Sequence, residues 1–185
     1  MENKRVLIIK GSERKGSYTN RLCSEAENLL SGCHIDVFDT FKENFAPCNG
    51  CNYCEAHGKC IHNDLNEFFE KFENADLIIF ASPVYNGTFS APLKSLIDRF
   101  QCYYTTFYAN GKVQPIKKRR KAILIAASGR DGKRSIDFMN WQLKCAFSIL
   151  NIEFQETVLC SYTDTVPQYD EALKKLKRSL AYEEA

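Results

Sequence analysis

Apolar positions along the chain follow two alternating rhythms. Unbroken runs occupy 6–9 and 122–127 and a nearly continuous one 75–81, as strands covered on both faces require, while 35–38 and 152–159 read as further strands, the last half-exposed. Between them apolar residues recur every three or four positions: Leu22, Ala26, Leu29 and Leu30; Leu65, Phe68, Phe69 and Phe72; Leu93, Leu96, Ile97 and Phe100; Met139, Leu143, Phe147 and Leu150; Leu173, Leu176 and Leu180. Each set lines one face of a helix. Asp64 and Glu67 stand like a capping pair, Pro83 ends the third strand, and Ser90 with Pro92 opens the next helix. Five βα units result, which predicts a doubly wound five-stranded parallel sheet with right-handed crossovers and strand order 2-1-3-4-5. No repeat or linker divides the chain. The expectation is one α/β domain over 1–185 with a cysteine-rich loop at 46–62.

That architecture says where to look for chemistry. Ligands of open parallel sheets bind beyond the carboxyl ends of strands where the order reverses, here between the first and third strands. The first strand runs into GSERKGSYTN, which has the shape of a phosphate cradle. Gly11 and Gly16 have the spacing of a P-loop, but Ser17 stands where its Lys must be. The dinucleotide pattern fails as well, because Ser12, Glu13, Arg14 and Lys15 follow Gly11. What remains is a hydroxyl-rich loop: Ser12, Ser17 and Thr19 as neutral donors and Arg14 as one fixed cation, suited to a single terminal phosphate such as that of FMN. The same residues also make a plain strand-to-helix turn. The third strand runs into SPVYNGTFSAPLKSLIDRF, where Pro83 fixes a φ, Gly87 permits a tight turn and Tyr85 offers a π face to a flat heterocycle.

Composition narrows the classes. With 25 basic and 23 acidic residues the net charge is +2, which gives no footing for nucleic acid or anionic membrane. The run Lys117, Lys118, Arg119, Arg120 and Lys121 reads as a solvated lead-in to the fourth strand, or as a greeting for a phosphate or acidic partner. The first ten residues hold too short an apolar run for a leader and nothing approaches a membrane span, so a cytoplasmic protein is expected.

Of nine cysteines, Cys23, Cys33, Cys102, Cys145 and Cys160 lie scattered in apolar or helical contexts, where Cys acts as a small hydrophobe. The other four cluster as C-x2-C-x2-C-x5-C: Cys48, Cys51, Cys54 and Cys60. Three cysteines at successive x2 intervals let a short coil wrap one face of a cube, so a [4Fe-4S] cluster fits best. Zinc, with His57 or His62 assisting, and an unligated loop remain open.

The segments GSERKGSYTN and SPVYNGTFSAPLKSLIDRF resemble the flavodoxin-like family of NADPH-dependent FMN reductases, over nearly the whole chain, and the cysteine spacing resembles its iron-sulfur flavoprotein branch. The most specific part is SPVY followed by APLK and DR. The resemblance implies that Ser12, Arg14, Ser17, Tyr18 and Thr19 hold the FMN phosphate. It places the isoalloxazine ring on Pro83, Val84, Tyr85, Asn86 and Gly87, with Ser128 and Gly129 contributing. Glu13 and Tyr18 depart from the Pro and Asn the family often carries there. The implied function is FMN-dependent oxidoreduction, with electrons passing from NAD(P)H or ferredoxin to a flavin, quinone or protein acceptor. The flavin itself takes up hydride or electrons, so no catalytic side chain is assigned. Two alternatives stand beside it: an electron-transfer iron-sulfur flavoprotein without a small-molecule substrate, and a zinc-stabilised binding module. A homodimer or homotetramer is expected, with the aromatic run 102–108 covering either a partner subunit or the chain's own FMN.

Overall fold

The computed structural model describes residues 4–181. Residues 1–3, the start of the segment expected to be too short of apolar residues for a leader, and residues 182–185 lie outside the described residues. Five strands, β1 (Arg5–Lys10), β2 (His34–Asp39), β3 (Leu77–Pro83), β4 (Arg120–Ala127) and β5 (Ile152–Cys160), pair in parallel in the order β2-β1-β3-β4-β5. The predicted order is the observed one.

Side chains alternate across the inner strands, so each strand feeds two cores. Val6 and Ile8 of β1, Leu77 and Ile79 of β3, and Ile123 and Ile125 of β4 meet Leu22 and Ala26 of α1 (Tyr18–Leu29) and Leu176 and Leu180 of α7 (Tyr169–Ala181). On the other face Leu7, Ile9, Phe80 and Leu124 meet Phe72 of α3 (Asn66–Asn74), Leu93 and Leu96 of α4 (Ala91–Arg99), and Met139 and Leu143 of α6 (Lys133–Phe147). Phe72 and Phe100 stack there with centroids 4.7 Å apart. Among the described residues no helix is long and apolar enough to cross a membrane.

Two helices escaped the apolar periodicity. The aromatic run forms α5 (Gln101–Ala109), which buries Cys102 and Tyr103 and leaves Tyr104 and Tyr108 exposed. It packs on α2 (Tyr53–His57), a short helix inside the cysteine loop. The predicted capping pair does not form. The N-cap of α3 is Leu65 without a side-chain bond, because Asp64 is held by Arg99 and by the Ala46 N–H, while Glu67 bonds Lys71.

The basic run is not uniformly solvated either. Arg120, the first residue of β4, is 1% exposed and donates to the carbonyls of Phe72 and Leu150. Lys118 and Arg119 pair with Asp76 and Glu153. Cys145 also departs from expectation. It lies about 200° around the helix from buried Leu143, and so faces solvent on α6.

Candidate functional site

The carboxyl ends of the strands are laced together by main-chain bonds that carry the loops onward. Gly11 N donates to Ala81 O at 2.7 Å, Val84 N to Ala127 O at 2.8 Å and Ser128 N to Cys160 O at 2.9 Å. The loops after β1, β3, β4 and β5 therefore rise from one rim. They enclose a cleft of about 580 Å³, inside the roughly 300–1,000 Å³ usual for small-molecule sites.

One wall is the loop 11–17. Ser17 caps α1, its Oγ accepting the Asn20 N–H at 3.2 Å and sharing a hydrogen bond with Ser12 Oγ at 2.9 Å. Asn20 Nδ2 braces the loop from below by donating to the carbonyls of Ser12 (3.1 Å) and Arg14 (2.8 Å). Helix geometry leaves first-turn N–H groups without intrahelical acceptors, so the loop floor is an anion-seeking surface. Thr19 is fully buried, its Oγ1 has no protein partner, and the residue lines the cleft. Arg14 lies exposed at the rim. Tyr18 lines the cleft too, but its ring meets that of Tyr169 at 5.8 Å with the Arg21 guanidinium 5.0 Å above it.

The opposite wall is the loop after β3. Tyr85 and Thr88 exchange main-chain bonds at 2.9 and 3.0 Å around Asn86 (φ 49°) and Gly87 (φ 84°), a two-residue hairpin turn with both central residues left-handed. Thr88 Oγ1 anchors this hairpin to Gln142 of α6 at 2.8 Å. The turn carries Pro83, Val84 and a 44% exposed Tyr85 to the cleft.

Of the twelve residues proposed from sequence for the cofactor, Ser12, Arg14, Ser17, Tyr18, Thr19, Pro83, Val84, Tyr85 and Gly129 line this cleft. Asn86, Gly87 and Ser128 do not. The first two form the hairpin turn itself, and Ser128 is buried against the turn at Gly132. None of the aromatic run 102–108 lines the cleft. Sequence reasoning missed Thr163 and Asp164 after β5, which the main-chain bonds Thr163 N to Ser128 O (3.0 Å) and Asp164 N to Gly129 O (3.4 Å) bring to the rim. A Cβ at Gly129 would run into the Asp164 carboxylate. The topology held the missing signal, since the fifth strand ends on the same rim as the first, third and fourth. The donor set fits a flat heterocycle carrying one phosphate: hydroxyls, helix N–H groups and Arg14 at one end, Pro83, Val84 and the Tyr85 ring at the other.

A second, far smaller pocket of about 30 Å³ lies in the cysteine loop. Cys48, Cys51, Cys54 and Cys60 all line it, together with Cys102, Arg99 and His62. Cys102, expected from sequence to be an ordinary core residue, thus faces the loop, and burial together with Cys60 and Cys54 pushes its thiol up to about 12. His57 turns elsewhere, stacked on Tyr53 at 3.8 Å with Nδ1 3.0 Å from the Tyr53 carbonyl oxygen. His62 Nε2 and Arg99 Nε are buried without protein partners. Among the described residues no three His, Cys, Asp or Glu side chains converge on one ion. The thiols surround a space rather than a point, beside an arginine, which suits a sulfur-held anionic group.

The chain is 35% identical over 134 residues to an iron-sulfur flavoprotein of Methanocaldococcus jannaschii, covering 71% of this chain and 66% of that protein. An iron-sulfur flavoprotein of Methanosarcina thermophila is 38% identical over 98 residues, covering 51% of each chain. The chain thus spans about half to two thirds of the length of these relatives. In fold it resembles an FMN-dependent NADH-azoreductase of Bacillus anthracis solved with FMN, with a TM-score of 0.67, 14% identity and coverage of 97% and 98% of the two chains. The family model of the NADPH-dependent FMN reductases matches residues 4–152, most of the chain, and the protein belongs to that family.

Proposed function

We propose that this chain acts as one domain over 1–185, binds FMN in the rim cleft and works as an oxidoreductase. It takes electrons from NAD(P)H or reduced ferredoxin and delivers them to a flavin, quinone or protein acceptor. The supporting observation is the convergence of the Ser12–Thr19 wall and the Tyr85 hairpin on one cleft of about 580 Å³.

In this reading Ser12, Ser17, Thr19, Arg14 and the amino end of α1 hold the phosphate. Thr19 Oγ1 gains the partner that the protein does not provide. Pro83, Val84 and Tyr85 hold the ring, Asn86 and Gly87 fix the hairpin that presents them, and Gly129 closes its edge with the buried Ser128 behind it. Bound FMN supplies hydride and one-electron chemistry, and the protein orients it and excludes water. The four cysteines hold a [4Fe-4S] cluster, whose sulfur ligation fits the pocket lined by Cys48, Cys51, Cys54 and Cys60.

The test is anaerobic purification followed by ultraviolet and visible spectra, FMN titration, and iron and sulfide analysis. A yellow protein bleached by NAD(P)H is expected; colourless protein that takes up no added FMN would overturn the reading. The cysteine pocket also favours a second function, electron transfer between cluster and flavin with no small-molecule substrate. Steady turnover of NAD(P)H with a quinone separates the enzyme from the carrier. A homodimer or homotetramer is part of the proposal, supported by the exposed stacked pair Phe138 and Trp141 on α6, and a monomeric mass in solution would remove it.

A further inference from the structure

The cysteine loop leaves and rejoins the protein beside a single side chain, that of Arg99 at the end of α4. The residue is 1% exposed. Nη1 donates to the Ala46 carbonyl at 2.7 Å, and Nη2 donates to the His62 carbonyl at 3.3 Å and to Asp64 Oδ1 at 2.8 Å. Asp64 Oδ2 in turn accepts the Ala46 N–H at 2.7 Å. Ala46 precedes Cys48, while His62 and Asp64 follow Cys60. Both ends of the loop are therefore tied to one cation.

Nε is left over. It is buried without a protein partner, and Arg99 forms part of the wall on which the four cysteines lie. Cys60, on the same wall, is among the groups that act on the guanidinium. A buried cation whose carboxylate partner is 25% exposed, and whose Nε has no acceptor, is only partly compensated. An anion in the pocket completes it. Lysine would not serve equally, since only a planar fork reaches two carbonyls and a carboxylate while keeping another N–H free.

Resting on the reading that these cysteines hold an iron-sulfur cluster, we propose that Arg99 is the positioning residue of the loop. It clasps the two ends, and it supplies through its charge and free N–H the counter-ion for the thiolate of Cys60 and the anionic group held there. A fixed positive charge favours the more negative, reduced state, so Arg99 raises the reduction potential, whereas Asp64, which offsets that charge, lowers it.

The experiment uses the full chain purified anaerobically, with Arg99→Gln, Arg99→Lys and Asp64→Asn beside wild type. Iron, sulfide and FMN per chain, the cluster midpoint from a redox titration followed by paramagnetic resonance, and the rate of proteolysis at 47–61 in chelator-stripped protein are measured. Arg99→Gln is expected to cut the reduced-to-oxidised ratio at a fixed potential about tenfold, ~59 mV for a one-electron couple, and to be cleaved faster. Arg99→Lys keeps a midpoint nearer wild type but is cleaved faster. Asp64→Asn shifts the midpoint the opposite way, which a merely structural role would not do. FMN content holds in all three, since Arg99 and Asp64 lie outside the rim cleft. Wild-type midpoint and wild-type cleavage in Arg99→Gln would overturn the proposal. Where that variant does not fold, shifts of the same sign in Arg99→Lys and Asp64→Asn would overturn it. Wild type without iron and sulfide defeats the cluster reading and the counter-ion role with it, while the proteolysis rates still decide the clasp.

Discussion

Gly11 stands where β1 gives way to the phosphate-binding wall, and its lack of a side chain is what lets β1, β3 and α4 close on one another. A Cβ there would stand 2.9 Å from the Ala81 carbonyl oxygen, 2.9 Å from Ser90 Oγ and 3.0 Å from Leu93 Cβ. The serine hydroxyl can rotate away. The other two atoms belong to the buried backbone of β3 and the buried root of an α4 side chain, which move only with their elements. Gly11→Ala is therefore an overpacking change, costing about 1–3 kcal/mol. For a chain of this size each kcal/mol moves the melting temperature by about 2–4 °C, so a fall of roughly 2–12 °C is expected. The comparison is Gly32→Ala, where a Cβ meets nothing within 4 Å. There the loss of freedom in the unfolded chain stabilises by about 0.4–1 kcal/mol. Thermal unfolding of both flavin-free variants followed by circular dichroism gives the difference directly. FMN titration completes the test, because forcing loop 11–17 off β3 weakens binding in Gly11→Ala alone. The reasoning fails if Gly11→Ala melts at or above Gly32→Ala.

Three further outcomes are expected. Gly87→Ala places a side chain at φ 84° in the hairpin turn, costing about 1–2 kcal/mol and displacing Tyr85; an FMN affinity and melting point equal to wild type would refute it. Ser17→Ala removes the acceptor of the Asn20 N–H and the bond to Ser12, costing about 1 kcal/mol, and it should weaken FMN binding more than riboflavin binding, since only FMN carries the phosphate. Asp76 sits at the opposite end of the sheet, where burial opposes its charge but the Arg5 N–H at 2.8 Å and Lys118 at 2.6 Å outweigh it and hold the carboxyl below the usual carboxylate range. A depressed folded value means stabilisation fully present above about pH 3.9 and lost as pH falls below it through the depressed folded value, so Asp76→Asn should flatten the acid limb of melting temperature against pH; an unchanged limb would contradict this.

The sheet was readable because strands buried on both faces leave nearly continuous apolar runs and the helices between them carry single apolar stripes. Where packing overrides local preference, the pattern goes silent. Helix α5 is built from Tyr, Thr and Phe, weak helix formers that blur any stripe, and it is helical because Cys102 fits beneath the cysteine loop and Tyr103 packs on Phe69 and Phe72 of α3. Asp64 looked like a cap until the buried Arg99, 35 residues away in sequence, claimed it. Arg120 looked solvated within a basic run, yet burial pushes its guanidinium down to about 10 and two carbonyls hold it in place. The rim cleft was legible through the Ser12 and Tyr85 segments, whose residue types carry phosphate and ring chemistry. Thr163 and Asp164 belong to the cleft only through main-chain pairing with Ser128 and Gly129, which no side-chain motif announces.

The outer strands bear on how copies of this chain meet. On β2, His34 and Asp36 stand within salt-bridge distance of each other, and on β5, which carries Glu153 and Glu156, a bulge leaves Gln155 unmatched between Phe154 and Glu156. Charged side chains on both borders, and a kink in one of them, make each a poor template for recruiting another β-segment edge to edge. Crowded molecules are thereby steered away from fibrillar growth, and any contact between them is left to helix surfaces such as the one that displays Trp141.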